Sequence, residues 1–348
     1  MYLVRVVVSY AAHLTVGLPP WPEAALGFSH RRFFNQMQTW TLPLLLWSLV
    51  QARRSGPGVR MGLFAMAACW WMLVLASGGR GTLLALLGGL ALLAMLFRGK
   101  AGPWLRAGGG TALTGLVLYV LLYALLGDNG YSLFERNLAR DSGRLYFWRE
   151  ALRLTADQPW LGVGPMHYAH WGHGITFAHP HNAVMQWLSE WGVPATLIAV
   201  GLIGWGMLAW LRHARYAVRH RPEERGITIA LTWALAAGAA HALLSGIVVM
   251  PVSQMLMVVV VGWALGCYQP PHRPHRASAR AHRLLAATVA LALLAVGLGV
   301  APDLPGLPHR KEIYTDWTGS YDLRPRYWQQ GFIGYETDRY PTEPVHPK

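Results

Sequence analysis

Charge and cysteine are what this sequence has least of. Charged residues make up 13% of the 348, against 53% hydrophobic ones, which excludes an ordinary soluble domain, where about a quarter of the residues are charged. Only Cys69 and Cys267 are present, each inside or at the end of an apolar run, which excludes a disulfide framework, a thiolate zinc site and an iron–sulfur cluster. Acids are scarce as well: 16 Asp and Glu stand against 30 Lys and Arg, a net charge of +14. An excess of that size would suit nucleic acid if the basic residues shared one polar face. They sit instead in short loops between apolar runs, so no nucleic-acid partner is expected.

What is abundant is apolar sequence in lengths that cross a bilayer, for which about 20 residues are needed. Seven runs qualify, at 61–77, 82–97, 109–127, 192–211, 226–248, 252–268 and 284–301. Two weaker ones precede them: 1–17, which carries Arg5 and His13, and 40–52, which is short and holds Pro43. The expected fold is an all-α polytopic membrane protein with about seven to nine transmembrane helices. The first run lacks the basic start and small-residue cleavage site of a signal peptide and is read as a retained helix. The segments 53–60, 98–107, 212–225 and 269–283 hold 15 of the Lys and Arg and two acids, Glu223 and Glu224. Positive loops mark the cytoplasmic side, which puts the large loop 128–191 and the tail 302–348 outside.

The external side concentrates the unusual polar residues. From Asp141 and Ser142, either a suitable N-cap, the segment 143–154 has helical periodicity, with Leu145, Trp148 and Leu152 on one face and Arg149 and Arg153 on another. It reads as an amphipathic helix at the interface. Its arginines, with Arg136, Arg140 and Arg144, could serve simply to hold anionic headgroups. Arg144 is set apart by its place at the helix N-terminus, where dipole and guanidinium together suit a phosphate. Arg80, in the turn Ser77, Gly78, Gly79, Arg80, Gly81 at the external end of two spans, is the second candidate, because a charge there needs a reason and glycines admit a ligand to the backbone.

Downstream lie His167, His170, His173, His179 and His181. Three at i, i+3 and i+6 suggest a metal, but no carboxylate or thiolate is near in sequence and Gly172 and Gly174 weaken a helix, so no metal is expected. His181, followed by Asn182, closes the loop just before an apolar-periodic segment, where a neutral imidazole can take a proton from a hydroxyl.

Taken together, Arg144 with Trp148, the turn Gly162, Val163, Gly164, Pro165, and His181 with Asn182 followed by Gln186, Leu188, Glu190 and Gly192 resemble the signature of the O-antigen ligase and polymerase superfamily. The turn from Ser77 to Gly81 is similar to that family's arginine turn. The resemblance extends over about residues 77–265. It implies a GT-C-like membrane glycosyltransferase of the bacterial inner membrane that needs no cofactor or metal. Such an enzyme moves a glycan from undecaprenyl pyrophosphate to an acceptor hydroxyl on the periplasmic face, with inversion. Carried to the matching positions, Arg80 and Arg144 would hold the pyrophosphate and His181 would activate the acceptor, with Arg140, Arg149, Asn182 and His179 as further substrate-binding residues. Asn182 would orient His181. The expected division is 1–127 for N-terminal helices, 128–191 for a periplasmic catalytic loop, 192–301 for C-terminal helices and 302–348 for a periplasmic tail. Members of the superfamily usually have around a dozen spans, so a shorter N-terminal part is expected here.

The acceptor separates three activities: lipid A-core sugar for a ligase, the growing glycan for a polymerase, and a Ser or Thr for a protein O-oligosaccharyltransferase. The ligase is favoured, as no large protein-acceptor domain is visible. A transporter of the same lipid-linked glycan is the reading outside enzymology, and it is disfavoured because only His241 is ionisable deep within the spans. The tail interleaves Trp317, Tyr321, Tyr327, Trp328, Phe332 and Tyr335 with Arg and Asp, which suits stacking on sugars or packing at the headgroup belt equally.

Overall fold

An apolar run in lipid can satisfy its backbone only within a helix or a closed barrel, and the runs here take the first course. The computed structural model describes residues 2–17, 28, 31–126, 143–165, 167–168, 179–268, 278–300 and 305, and no strand occurs among them. The helices in chain order are α1 (Tyr2–Thr15), α2 (Arg31–Gln51), α3 (Pro57–Ala76), α4 (Arg80–Phe97), α5 (Gly102–Leu126), α6 (Arg144–Asp157), α7 (Ala183–His220), α8 (Arg225–Ala242), α9 (Pro251–Tyr268) and α10 (Ala279–Val300). The chain divides into two units, Met1–Tyr268 with α1 to α9, and Gln269–Lys348 with α10. Among the described residues, four segments are long and apolar enough to cross a membrane: Pro57–Ala76, Arg80–Leu121, Ala183–His220 and Pro251–Tyr268. The expected seven to nine spans go beyond these four. The loop residues 128–142 and, apart from residue 305, the tail 302–348 lie outside the described residues.

The core of the first unit is built on α8, whose residues from Thr228 to Ala234 are all buried. A helix buried around its whole circumference is a core helix. It packs against α2, α4, α7 and α9. Trp233 from α8 fits against α4, where Gly89 leaves no side chain in the way of the indole, and its Nε1 donates to the Leu86 carbonyl at 2.9 Å. Phe34, Leu42, Leu46, Trp71, Leu73, Leu86 and Leu93 fill the space between α2, α3 and α4, none more than 2% exposed. On the outside, Leu197, Ile198, Leu202, Ile203, Trp205 and Leu208 of α7 and Met255, Val258 and Val259 of α9 are exposed. So much outward apolar surface is favourable in lipid and not in water.

Two boundaries differ from those expected. The weak run 40–52 is the second half of α2, which starts at Arg31; the first half carries Arg31, Asn35, Gln36, Gln38 and Thr39, all buried. Hydropathy reads those residues as loop, but here the neighbouring α3 and the turn after it give some of them partners: Asn35 Nδ2 donates to Ser77 Oγ at 2.7 Å and Gln38 Nε2 to the Trp70 carbonyl at 2.9 Å. The run 226–248 also ends early as a helix, at Ala242, and gives way to turns before α9.

Candidate active site

Four helix starts and one helix end meet at a single cleft. It is lined by Arg32 from the first turn of α2, Asn35 one turn on, the turn and first residues of α4 (Gly78 to Thr82), Arg144 at the start of α6, His181 just before α7, and His241, Leu244 and Ser245 at the end of α8. Empty space in the cleft, open mouth included, is about 450 Å³. The three residues expected to be catalytic, Arg80, Arg144 and His181, therefore line one cleft although as many as 101 positions separate them in the chain.

Each is placed by local chemistry. The α3–α4 turn closes with Gly78 at φ 64° and the Gly79 amide bonded to the Val74 carbonyl at 3.1 Å. A Cβ on Gly79 would lie 2.8 Å from Asn35 Oδ1, so a larger residue there would displace the Asn35 amide that lies against the turn presenting Arg80. Arg144 follows Gly143, which takes the α6 cap position in the left-handed conformation at φ 78° with no side-chain cap. The expected caps, Asp141 and Ser142, lie outside the described residues. Phe147, Ala151 and Leu154 anchor the inner face of α6. Leu145 and Leu152, on the face expected at the interface, are exposed.

His181 is held by its whole surroundings. Its backbone is left-handed, φ 57°, which is uncommon for a residue with a Cβ and persists only where neighbours fix it. Its amide donates to His179 Nδ1 at 3.2 Å, and its ring stands edge-on to His179 (4.5 Å) and Phe147 (6.0 Å). The adjacent Pro180 carbonyl accepts from Trp148 Nε1 at 3.0 Å, tying the segment to α6. Arg32 Nη1 lies 3.5 Å from His181 Nε2. A guanidinium can only donate, so a bond here uses Nε2 as acceptor in the tautomer whose ring proton is on Nδ1.

The other expected site residues divide. Arg140 lies outside the described residues, as do His170 and His173. Arg149 is exposed on α6 and does not line the cleft. Asn182 caps α7: its Oδ1 accepts from Val184 N at 3.0 Å and Met185 N at 3.2 Å. His179 sits behind His181, 3% exposed, and burial together with the charge of Arg32 pushes its pKa down to about 4. Both hold the backbone that presents His181, and neither lines the cleft. Arg153 is engaged along its own helix by Glu150 at 2.6 Å and Asp157 at 2.7 Å. Among the described residues, no three His, Cys, Asp or Glu are grouped to hold a metal.

A backbone joint ties the arginine helix to the histidine helix. Val163 N donates to the Ser189 carbonyl (2.8 Å), Gly164 N to Glu190 (3.1 Å), and Val193 N to Pro159 (2.8 Å). Gly192, at φ 78° and ψ 174°, breaks α7 so that the loop after α6 can lie against it. The turn at residues 162–165 and Gly192 are thus the two sides of one contact.

Sequence reasoning missed Arg32, Asn35, Thr82 and Ser245. Arg32 is in a polar stretch that hydropathy discounts, and the others are single polar residues at helix ends with no motif of their own. His241 stood out as an ionisable residue at depth. Here its Nδ1 meets Thr39 Oγ1 at 2.8 Å and its Nε2 meets Thr82 Oγ1 at 3.5 Å.

Three guanidiniums, three helix N-termini with their positive dipole ends (α2, α4 and α6), and no carboxylate among the described lining residues make a cleft for a polyanion. Beside it stands an imidazole with an acceptor nitrogen. Residues 63–200, which include Arg80, Arg144 and His181, match a family model described as O-antigen ligase. No curated protein matches the chain.

Proposed function

From the match of residues 63–200 to the O-antigen ligase family model, we propose that this chain transfers a glycan from undecaprenyl pyrophosphate to an acceptor hydroxyl at the periplasmic face of the bacterial inner membrane. The lipid A-core sugar is the favoured acceptor. The observation that carries this reading is the convergence of Arg32, Arg80, Arg144 and His181 on one cleft.

The chemistry follows from the arrangement. The acceptor oxygen attacks the anomeric carbon of the donor from the face opposite the pyrophosphate, the bond from that carbon to the phosphate oxygen breaks, and configuration inverts. His181 Nε2 takes the hydroxyl proton. The leaving pyrophosphate gains negative charge as the bond lengthens, and fixed guanidiniums stabilise that charge more than they stabilise the bound donor, which is what accelerates the step. Arg32 has a double part. Before the donor binds it faces His181 Nε2; a pyrophosphate oxygen that draws the guanidinium to itself leaves the lone pair of Nε2 for the acceptor.

The test is transfer in vesicles that contain the purified full chain, an undecaprenyl-pyrophosphate-linked glycan and lipid A-core, read as the release of undecaprenyl pyrophosphate. His181→Ala is expected to abolish turnover with donor binding retained. Arg144→Lys is expected to lower it substantially, because a point charge does not reproduce a guanidinium fork. Unchanged turnover in His181→Ala would overturn the assignment of the base. In the native host, deletion of the gene should leave long glycan on undecaprenyl pyrophosphate and lipopolysaccharide that stops at the core. Single repeats on the carrier would mark a polymerase instead, and intact lipopolysaccharide would direct attention to protein glycosylation.

A further inference from the structure

A second cluster of positive charge lies at the far ends of two helices that build the cleft. α4 begins at Arg80 and ends at Phe97, about 27 Å away at 1.5 Å per residue, close to the thickness of a bilayer's hydrocarbon core. There the turn Arg98–Ala101 and the last turns of α7 enclose a cavity of about 380 Å³, lined by Leu96, Phe97, Arg98, Lys100, Arg215 and Arg219 among others.

Charge, shape and backbone point the same way. Four cations from two elements share this cavity, and no acid is among its described lining residues. Basic residues at helix C-termini are ordinarily explained by the dipole, but each helix end carries only about half a negative charge. Two ends therefore offset about one of the four charges. All four side chains are exposed, while Phe97 and Val218 on the floor are buried, so an anionic head would meet the rim and a short apolar stem the floor. Arg98 also takes a backbone conformation, φ 47° and ψ −128°, that suits glycine far better than arginine. A strained non-glycine residue at a binding surface is the pattern expected where the side chain is needed.

We propose that this cavity binds the phosphate headgroup of an anionic membrane lipid, on the side of the membrane opposite the cleft. Basic pockets between helices at headgroup depth recognise such lipids by charge, while their apolar floors accept the glycerol and first acyl carbons. The inference concerns a different site from the proposed transfer reaction and stands or falls without it.

The experiment is native mass spectrometry of the full chain in neutral detergent titrated with cardiolipin, with phosphatidylcholine as the uncharged comparison. Arg215→Gln with Arg219→Gln removes two exposed charges and is expected to weaken cardiolipin binding roughly 25-fold, at about fivefold per basic residue near a headgroup. Arg53→Gln with Arg60→Gln, exposed residues of the same unit that do not line the cavity, removes the same net charge and should leave binding within twofold. Arg98→Gly separates folding from binding: thermal stability in phosphatidylcholine should hold or rise as strain is relieved, while cardiolipin binding falls. Equal weakening by both double variants would show mere surface attraction and overturn the site. Inorganic phosphate at millimolar concentration that displaces cardiolipin from the wild-type chain, and fails to bind the Arg215/Arg219 variant, would overturn the lipid as the occupant in favour of a soluble phosphate.

Discussion

Gly192→Ala should damage both stability and transfer, and the size of each effect can be worked from the joint between α6 and α7. Gly192 has φ 78° and ψ 174°, a region that residues with a Cβ enter at a cost of about 1–3 kcal/mol. The added carbon would also lie 2.5 Å from the Trp160 carbonyl oxygen and 2.8 Å from Leu161 N. Normal contact begins near 3.5 Å, so the two backbones must part by roughly 1 Å. That movement gives up the bond from Val193 N to the Pro159 carbonyl and stretches the one from Gly164 N to Glu190, worth about 1 kcal/mol each. The sum is about 3–5 kcal/mol, or a fall in Tm of about 4–7 °C for a chain of this size. Since the joint sets α6 against α7, Arg144 shifts relative to His181, and a displacement of about 1 Å lowers turnover on the order of 100-fold. Gly201→Ala is the comparison: it lies on the same helix with nothing within 4 Å of its added carbon, and it should be neutral or stabilising by up to about 1 kcal/mol. The measurements are thermal unfolding in detergent and vesicle transfer. Equal Tm and equal turnover in the two variants would refute the reasoning.

Two further outcomes follow from the support behind His181. His179 is held neutral in the fold down to about pH 4, by burial first and by Arg32 second, whereas an unfolded histidine protonates near 6.5. Between those values the unfolded chain binds more protons, so stability falls as pH is lowered, by up to about 3 kcal/mol at pH 4, and His179 contributes no slope above about pH 7. Thermal midpoints from pH 7.5 to 4.5 should show this slope in the wild type and less of it in His179→Gln; equal slopes would remove His179 as the cause. Asn182→Ala should cost about 1 kcal/mol through loss of the α7 cap. Asn182→Asp should keep the cap and the Tm yet raise KM for the pyrophosphate donor, by placing a negative charge next to His181; an unchanged KM would count against an anion in this cleft.

The long apolar helices were legible because length and hydropathy suffice to place them: α3, α4, α5, α7 and α9 all overlap predicted runs. The first half of α2 was not, because its Asn, Gln, Thr and Arg side chains read as solvent-exposed until the helices that bury them are in place. Arg80, Arg144 and His181 could be picked out from local chemistry, a charged residue in a glycine turn, a helix start and a histidine before a span. Asn182 was expected to orient His181, and its cap of α7 became visible only with the amides it accepts from.

By itself, then, the sequence determined that this is a helical membrane chain, which loops carry its positive charge, and which three residues are chemically unusual. The tertiary structure alone decided that those three share a cleft, that Arg32 and His241 from distant helices join them, and that His179 stands behind the cleft instead of in it. The physical reason is that membrane helices are specified one at a time by local apolar length, while a site built where helix ends meet depends on how the helices pack. Packing in turn rests on details such as Gly79 against Asn35 and Gly192 against Trp160, whose partners lie dozens of residues away in the chain.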